Sequence, residues 1–68
     1  MAMVGEITRL FEQRRFGFLR GQDGIERFFH QSSLAAWAEY DALRLGDRVS
    51  FEIVASDRGP RADHVRRV

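Results

Sequence analysis

The stretch Arg14-Arg15-Phe16-Gly17-Phe18-Leu19-Arg20, followed by Arg27-Phe28-Phe29-His30, leaves this chain few ways to fold. In an extended chain successive side chains point to opposite faces. Phe16 and Phe18 then share one face of a strand, and Phe28 and His30 share one face of the next. Leu19 and Phe29 point the other way, and Gly17 has no side chain to direct. By the same parity the phenylalanine face carries Arg14, Arg20, Glu26 and His30. Turning that face inward would bury charges without partners, at a cost of several kcal/mol. The rings are therefore expected on the outside. Base-on-aromatic stacking is worth about 1–3 kcal/mol per base and tolerates any sequence, so an exposed plate of rings suits unpaired nucleobases.

The remaining segments are read around that plate. Met1 to Met3 is expected to be a frayed start. Val4 to Phe11 is rich in β-formers with partial alternation and is expected to be a first strand. Glu12-Gln13-Arg14 turns the chain into the second strand, Phe16 to Arg20. Gly21-Gln22-Asp23-Gly24 is a turn whose Asp-Gly pair favours a tight hairpin, and the third strand runs from about Ile25 to His30. Between Gln31 and Leu45 the pattern changes. Ser33 is placed as the cap of a helical turn or two with Leu34, Trp37 and Ala38 as its apolar positions. Val49-Ser50-Phe51-Glu52-Ile53 alternates most cleanly, with Val49, Phe51 and Ile53 expected in the core. Asp57-Arg58-Gly59-Pro60 is a turn, and Arg61 to Val68 is a last strand with Ala62 and Val65 inward. The fold class is all-β: five short antiparallel strands with a break between the third and fourth, which a small closed barrel accommodates without exposed edges.

Bulk properties narrow the function. A chain of 68 residues is expected to form one domain with a thin core. It has no cysteine and two widely separated histidines, so neither a disulfide framework nor a metal site is expected. No apolar run is long enough for a bilayer and no signal-peptide pattern opens the chain, so a cytoplasmic protein without membrane contact is expected. The net charge is only +1, yet every basic residue is arginine. Arginine pairs with phosphate as a fork and stacks on planar groups, although a lysine-free chain is equally read as compositional bias. Arg9, Arg14, Arg15 and Arg20 lie in or beside the aromatic strands. Glu6, Glu12, Asp23 and Glu26 are read as surface charge. No serine–histidine–acid set, phosphate-cradling glycine loop or carboxylate pair is present, so no enzymatic activity, catalytic residue or cofactor is expected.

Several motifs resemble those of the cold-shock domain family, an oligonucleotide-binding (OB) fold. Arg15-Phe16-Gly17-Phe18-Leu19 resembles its first ribonucleoprotein motif, Lys-Gly-Phe-Gly-Phe-Ile, and Phe28-Phe29-His30-Gln31-Ser32 resembles the second, Val-Phe-Val-His-x-Ser. Leu45-Gly46-Asp47-Arg48-Val49-Ser50-Phe51 is similar to Glu-Gly-x-x-Val-x-Phe. Gly59-Pro60-Arg61-Ala62-Asp63-His64-Val65 is similar to the closing Gly-Pro-x-Ala-x-Asn-Val. The resemblance covers nearly the whole chain in order. It implies a single OB domain over residues 1–68, a five-stranded barrel that binds single-stranded RNA or DNA. It further implies low sequence specificity, RNA-chaperone activity and a role in regulating transcription or translation. Phe16, Phe18, Phe28 and His30 match the family's base-stacking positions.

The departures are specific. The family's first strand has Lys-Trp-Phe where this chain has Arg9-Leu10-Phe11. Counted without a gap from Gly5, Arg9 takes the tryptophan position; with one gap, Leu10 takes it. Arg15 replaces a glycine, which strains the turn if that site needs unusual backbone angles. Gln31 stands where bacterial members have an aromatic residue. Arg27 stands at a core position and must snorkel or find a carboxylate. Trp37 and Tyr40 either cap the barrel or flank the nucleic-acid groove, and Arg58 reaches phosphate from its loop or is a solvated turn residue. A monomer is expected, with a dimer as the alternative. The competing function is a protein-interaction or self-association barrel that has lost nucleic-acid binding, its phenylalanines forming the contact patch.

Overall fold

The structure, a computed structural model, describes residues 2–68. Strands β1 (Ala2–Phe11), β2 (Phe16–Gly21) and β3 (Glu26–His30) form an antiparallel meander, and β4 (Arg48–Val54) and β5 (Arg61–Arg67) complete a closed barrel in the order β1-β2-β3-β5-β4. The one parallel contact among the strands, β3 to β5, closes it at Phe28↔Arg61. Short 3₁₀ turns lie at Glu12–Arg14, Gln31–Ser33 and Trp37–Ala42.

Alternation decides which side chains fill the barrel. Leu19, Phe29, Val49 and Phe51 are almost wholly buried, as their parity predicts, and Ala62 and Val65 are buried with them. Gly17 lies in β2 beneath the plate, where an added Cβ would sit 2.5 Å from the Arg9 carbonyl oxygen, so the close approach of β1 to β2 requires glycine. At the β2–β3 turn Gly24 has φ 83°, the left-handed region that the Asp-Gly pair supplies readily.

Two bulges shift parity in ways alternation alone does not reveal. Between Ile7↔Leu19 and Arg9↔Phe18, β1 carries one extra residue, Thr8. Ile7 therefore faces the core, Leu10 packs against it, and Arg9 and Phe11 turn outward. On β5 the register shifts between Ser50↔Arg66 and Glu52↔Asp63, and His64 there has φ 50°. That extra residue places Ala62 and Val65, three apart, both inward.

Four expectations are corrected. Of the supposedly frayed start, Met1 lies outside the described residues, but Ala2 and Met3 belong to β1, where they pair with Glu52 and Phe51. Ser33 caps no helix. It is buried at the end of the Gln31–Ser33 turn, and the longer 3₁₀ segment begins at Trp37 after Ala36, with no side-chain cap. Of its supposed apolar positions only Leu34 is buried, bridged to Val65, while Trp37 and Ala38 are exposed. Ile53 is not a core residue but 54% exposed, next to the end of β4, where it pairs with Ala62 at the barrel rim. Asp23 is not simple surface charge, because it partners Arg27.

Arg27 is 4% exposed in a core position. Its Nη1 donates to Asp23 Oδ1 at 3.1 Å and its Nη2 to Oδ2 at 2.7 Å, while Nε finds no partner. The carboxylate answers the requirement set by the sequence, a fork-to-fork pair that makes burial of the guanidinium tolerable.

Candidate nucleic-acid interface

The register of β1, β2 and β3 sets the outward side chains in rows across the strands. Phe11↔Phe16↔His30 is one row, Arg9↔Phe18↔Phe28 the next, and Glu6↔Arg20↔Glu26 the third. Phe11 and Phe16 are stacked with centroids 4.7 Å apart and planes 13° apart. Phe28 lies 5.4 Å from Phe16 and 5.9 Å from Phe18, and Phe16 to Phe18 is 6.2 Å. The rings shield one another at their edges and are partly exposed outside the barrel, with Phe11 the most open at 40%. Phe11 was not among the candidate residues read from the sequence. Strict alternation from Ile7 points it inward, and only the Thr8 bulge reverses that. The available signal was the β-rich run broken by polar Thr8-Arg9, too weak to locate a bulge.

Arg9 lies on this face, its guanidinium carbon 4.4 Å from the Phe18 centroid and 5.9 Å from Phe11. Glu26 holds it in place, at 3.3 Å from Nη2, and accepts the Thr8 hydroxyl at 2.9 Å through its other oxygen. The run Arg9-Leu10-Phe11 therefore presents Arg9 and Phe11 on the plate and sends Leu10 to the core. A planar cation over a ring is one further stacking surface.

His30 borders the plate. Its Nδ1 accepts the Ser32 backbone N–H at 3.1 Å, so the neutral ring carries its proton on Nε2 and offers a donor there. Gln31 donates from its side chain to the Trp37 carbonyl at 3.1 Å, tying the long connection to the plate's margin. Trp37 is 64% exposed there. Tyr40, its companion in the same segment, is buried and donates to the Phe16 carbonyl at 2.6 Å, which makes it a barrel cap. Arg58, with Pro60 and Arg61, lines a groove of about 360 Å³ that Phe18 and Phe28 also line.

Among the described residues, Arg14, Arg15 and Arg20 make no cation–π contact with the plate's phenylalanines. Arg14 is exposed at the 3₁₀ turn and Arg20 is exposed opposite Glu26. Arg15 is committed elsewhere: its guanidinium binds Asp41 and lies 5.5 Å from the Tyr40 ring. The hydrogen bond and charge of Asp41 raise the Arg15 pKa above its ordinary value. Its backbone adopts φ 58°, ψ 42°, the left-handed conformation that the replaced glycine would occupy without strain. Among the described residues no cluster of histidine and acidic residues could hold a metal, and no helix is long and apolar enough to cross a membrane.

A closed five-stranded barrel in the order β1-β2-β3-β5-β4, with rings and arginine on the outside of its first three strands, is a barrel of the oligonucleotide-binding class. Within that class the chain matches the 'Cold-shock' DNA-binding domain over residues 3–68, and it belongs to this family. It is similar to Cold shock protein 1 of Lactiplantibacillus plantarum, 38% identical over 61 residues that cover 90% of this chain and 91% of the relative. Cold shock-like protein CspC of Bacillus cereus is 35% identical over 63 residues, 93% of this chain and 95% of the relative. Cold shock protein CspD of Bacillus subtilis is 34% identical over 61 residues, again 90% and 91% of the two chains. Nucleic-acid binding is a property of the family.

Proposed function

We propose that the protein binds single-stranded RNA or DNA with little base preference, the bases stacking on Phe16, Phe18, Phe28 and His30. Arg9 and Phe11 extend the plate, and Arg14, Arg20 and Arg58 engage phosphates at its margins. Trp37 and Gln31 flank the end that follows β3. The observation that supports this reading best is the continuous outer layer of four partly exposed phenylalanine rings, with neighbouring centroids 4.7 to 6.2 Å apart. A core would bury such rings, whereas a stacking platform needs their faces. A bound strand is unavailable for pairing, so mass action alone shifts RNA out of hairpins. This is a chaperone activity without ATP, exercised in the cytoplasm. Titration with short oligo-dT and oligo-U tests it, followed by quenching of Trp37 and by amide chemical shifts. Saturable binding with shifts on β1, β2 and β3 is the expected result; absence of binding at low salt rejects it.

A further inference from the structure

The C-terminal half of β1 has strand partners on one side only. Its pairing with β4 ends at Glu6↔Arg48, and beyond it the Ile7 N–H donates to the Asp47 carbonyl while the Ile7 carbonyl accepts from the Gly46 N–H. From Thr8 to Phe11 the described strand partners all lie on β2. Beside this open edge is a groove of about 850 Å³, lined by Leu10, Phe11 and Gln13 and by Leu43, Arg44 and Leu45. Its size falls within the range of small-molecule sites, about 300–1,000 Å³. Phe11 and Arg9 line it and also form the last positions of the plate.

We infer that a bound single strand does not stop at Phe11 but turns over the β1 edge into this groove, where Arg44 receives a phosphate and Leu45 and Leu10 receive the next base. This rests on the stacking reading above. Three observations favour the continuing strand as the occupant. Arg44 Nη1 is braced by the carbonyls of Asp41 and Leu43 at 3.2 and 3.0 Å, which fixes the guanidinium while leaving Nε and Nη2 without a partner among the described residues. The Asp41 carboxylate in the groove is already bound by Arg15, so it opposes an incoming phosphate less than a free acid would. Leu45, 66% exposed, stands where the family pattern quoted above has glutamate, so the lip offers an apolar surface in place of a like charge. Polar backbone groups on the unpaired edge supply partners for a base edge.

Affinity measured against oligo-dT length tests this, using short oligomers that span only the plate and longer ones with three or four added nucleotides. For Arg44→Ala the short oligomer is expected to bind as tightly as to the parent, and the longer one roughly 3- to 10-fold more weakly. The salt slope of the longer one should drop by about 0.7, one phosphate's worth for a single strand. Because Arg44→Ala also removes braces on two carbonyls, Leu45→Glu is a second variant; it disturbs no hydrogen bond and should show the same length-dependent loss. Methyl shifts of Leu10 and Leu45 should appear only with the longer oligomer. Equal losses at both lengths, or none, while the parent still binds the short oligomer, overturn the groove alone. Failure of the short oligomer to bind the parent overturns the plate and the groove together.

Discussion

Phe28, Phe29 and His30 are consecutive, yet the middle residue is buried while its neighbours lie on the outer face. Their alanine variants should therefore fail differently. Phe16→Ala or Phe28→Ala is expected to weaken oligonucleotide binding by about 1–3 kcal/mol, with stability lowered far less. Phe29→Ala opens a core cavity and should cost about 3–5 kcal/mol of stability. Urea melts run beside the titrations separate the two, and a Phe16→Ala variant as unstable as Phe29→Ala would contradict the exposed plate. Arg15 sets a second residue-scale balance. A side chain in left-handed backbone costs roughly 1–2 kcal/mol, whereas its solvent-exposed pair with Asp41 contributes little. Arg15→Gly should leave stability unchanged or raise it by up to about 1 kcal/mol. A clear loss in the melt would mean that the link to Asp41 outweighs the backbone strain.

At the scale of elements, two connections each include a polar contact with a buried side chain. The β2–β3 turn is joined to the barrel by Asp23 and the buried Arg27. The Arg27 hydrogen bonds, the backbone N–H of Ile25 and the nearby cation hold the Asp23 carboxyl below its ordinary value. Its folded pKa is thus lower than its unfolded one. The stabilisation is present above the unfolded aspartate value, about 3.9, and is lost as pH falls through the lower folded value. Asp23→Asn leaves a buried guanidinium without its counter-charge and should destabilise the protein at neutral pH. Its stability should also fall less steeply in that acid window. An acid titration of both proteins by circular dichroism reads the difference, and parallel curves would rule out the pair as the cause. The long β3–β4 connection is pinned by the Tyr40 hydroxyl on the Phe16 carbonyl. Tyr40→Phe should cost about 0.5–1.5 kcal/mol. Burial pushes the Tyr40 pKa up, so its contribution is present below the ordinary tyrosine value and is lost as pH rises through the folded one. The Phe variant should accordingly lose less stability in alkali than the parent.

For the whole molecule, the net charge of +1 means that binding cannot rest on a long-range positive field. In the proposed mode, stacking would supply most of the affinity and a few arginines the salt-dependent part. With three or four phosphates engaged, the logarithm of the association constant should fall against that of salt with a slope of about −2 to −3. A fluorescence titration across salt concentrations measures it. A slope near zero would remove the arginines from the interface, and a much steeper one would place phosphate contacts, not rings, at the centre of binding.

Period-two alternation is a local property of the chain. It determined the all-β class, the outward Phe16, Phe18 and Phe28, the inward Leu19, Phe29, Val49 and Phe51, and the demand that Arg27 snorkel or find a carboxylate. Tertiary structure decided what alternation cannot count. A one-residue bulge reverses parity without marking the sequence, so the outward turn of Arg9 and Phe11 was settled by how β1 meets β2 around Thr8. Closure of the barrel decided that Ile53 lies at the rim and Tyr40, not Trp37, at the cap. Each depends on which distant strand arrives opposite a residue, and that is a property of the assembled barrel rather than of any stretch of it.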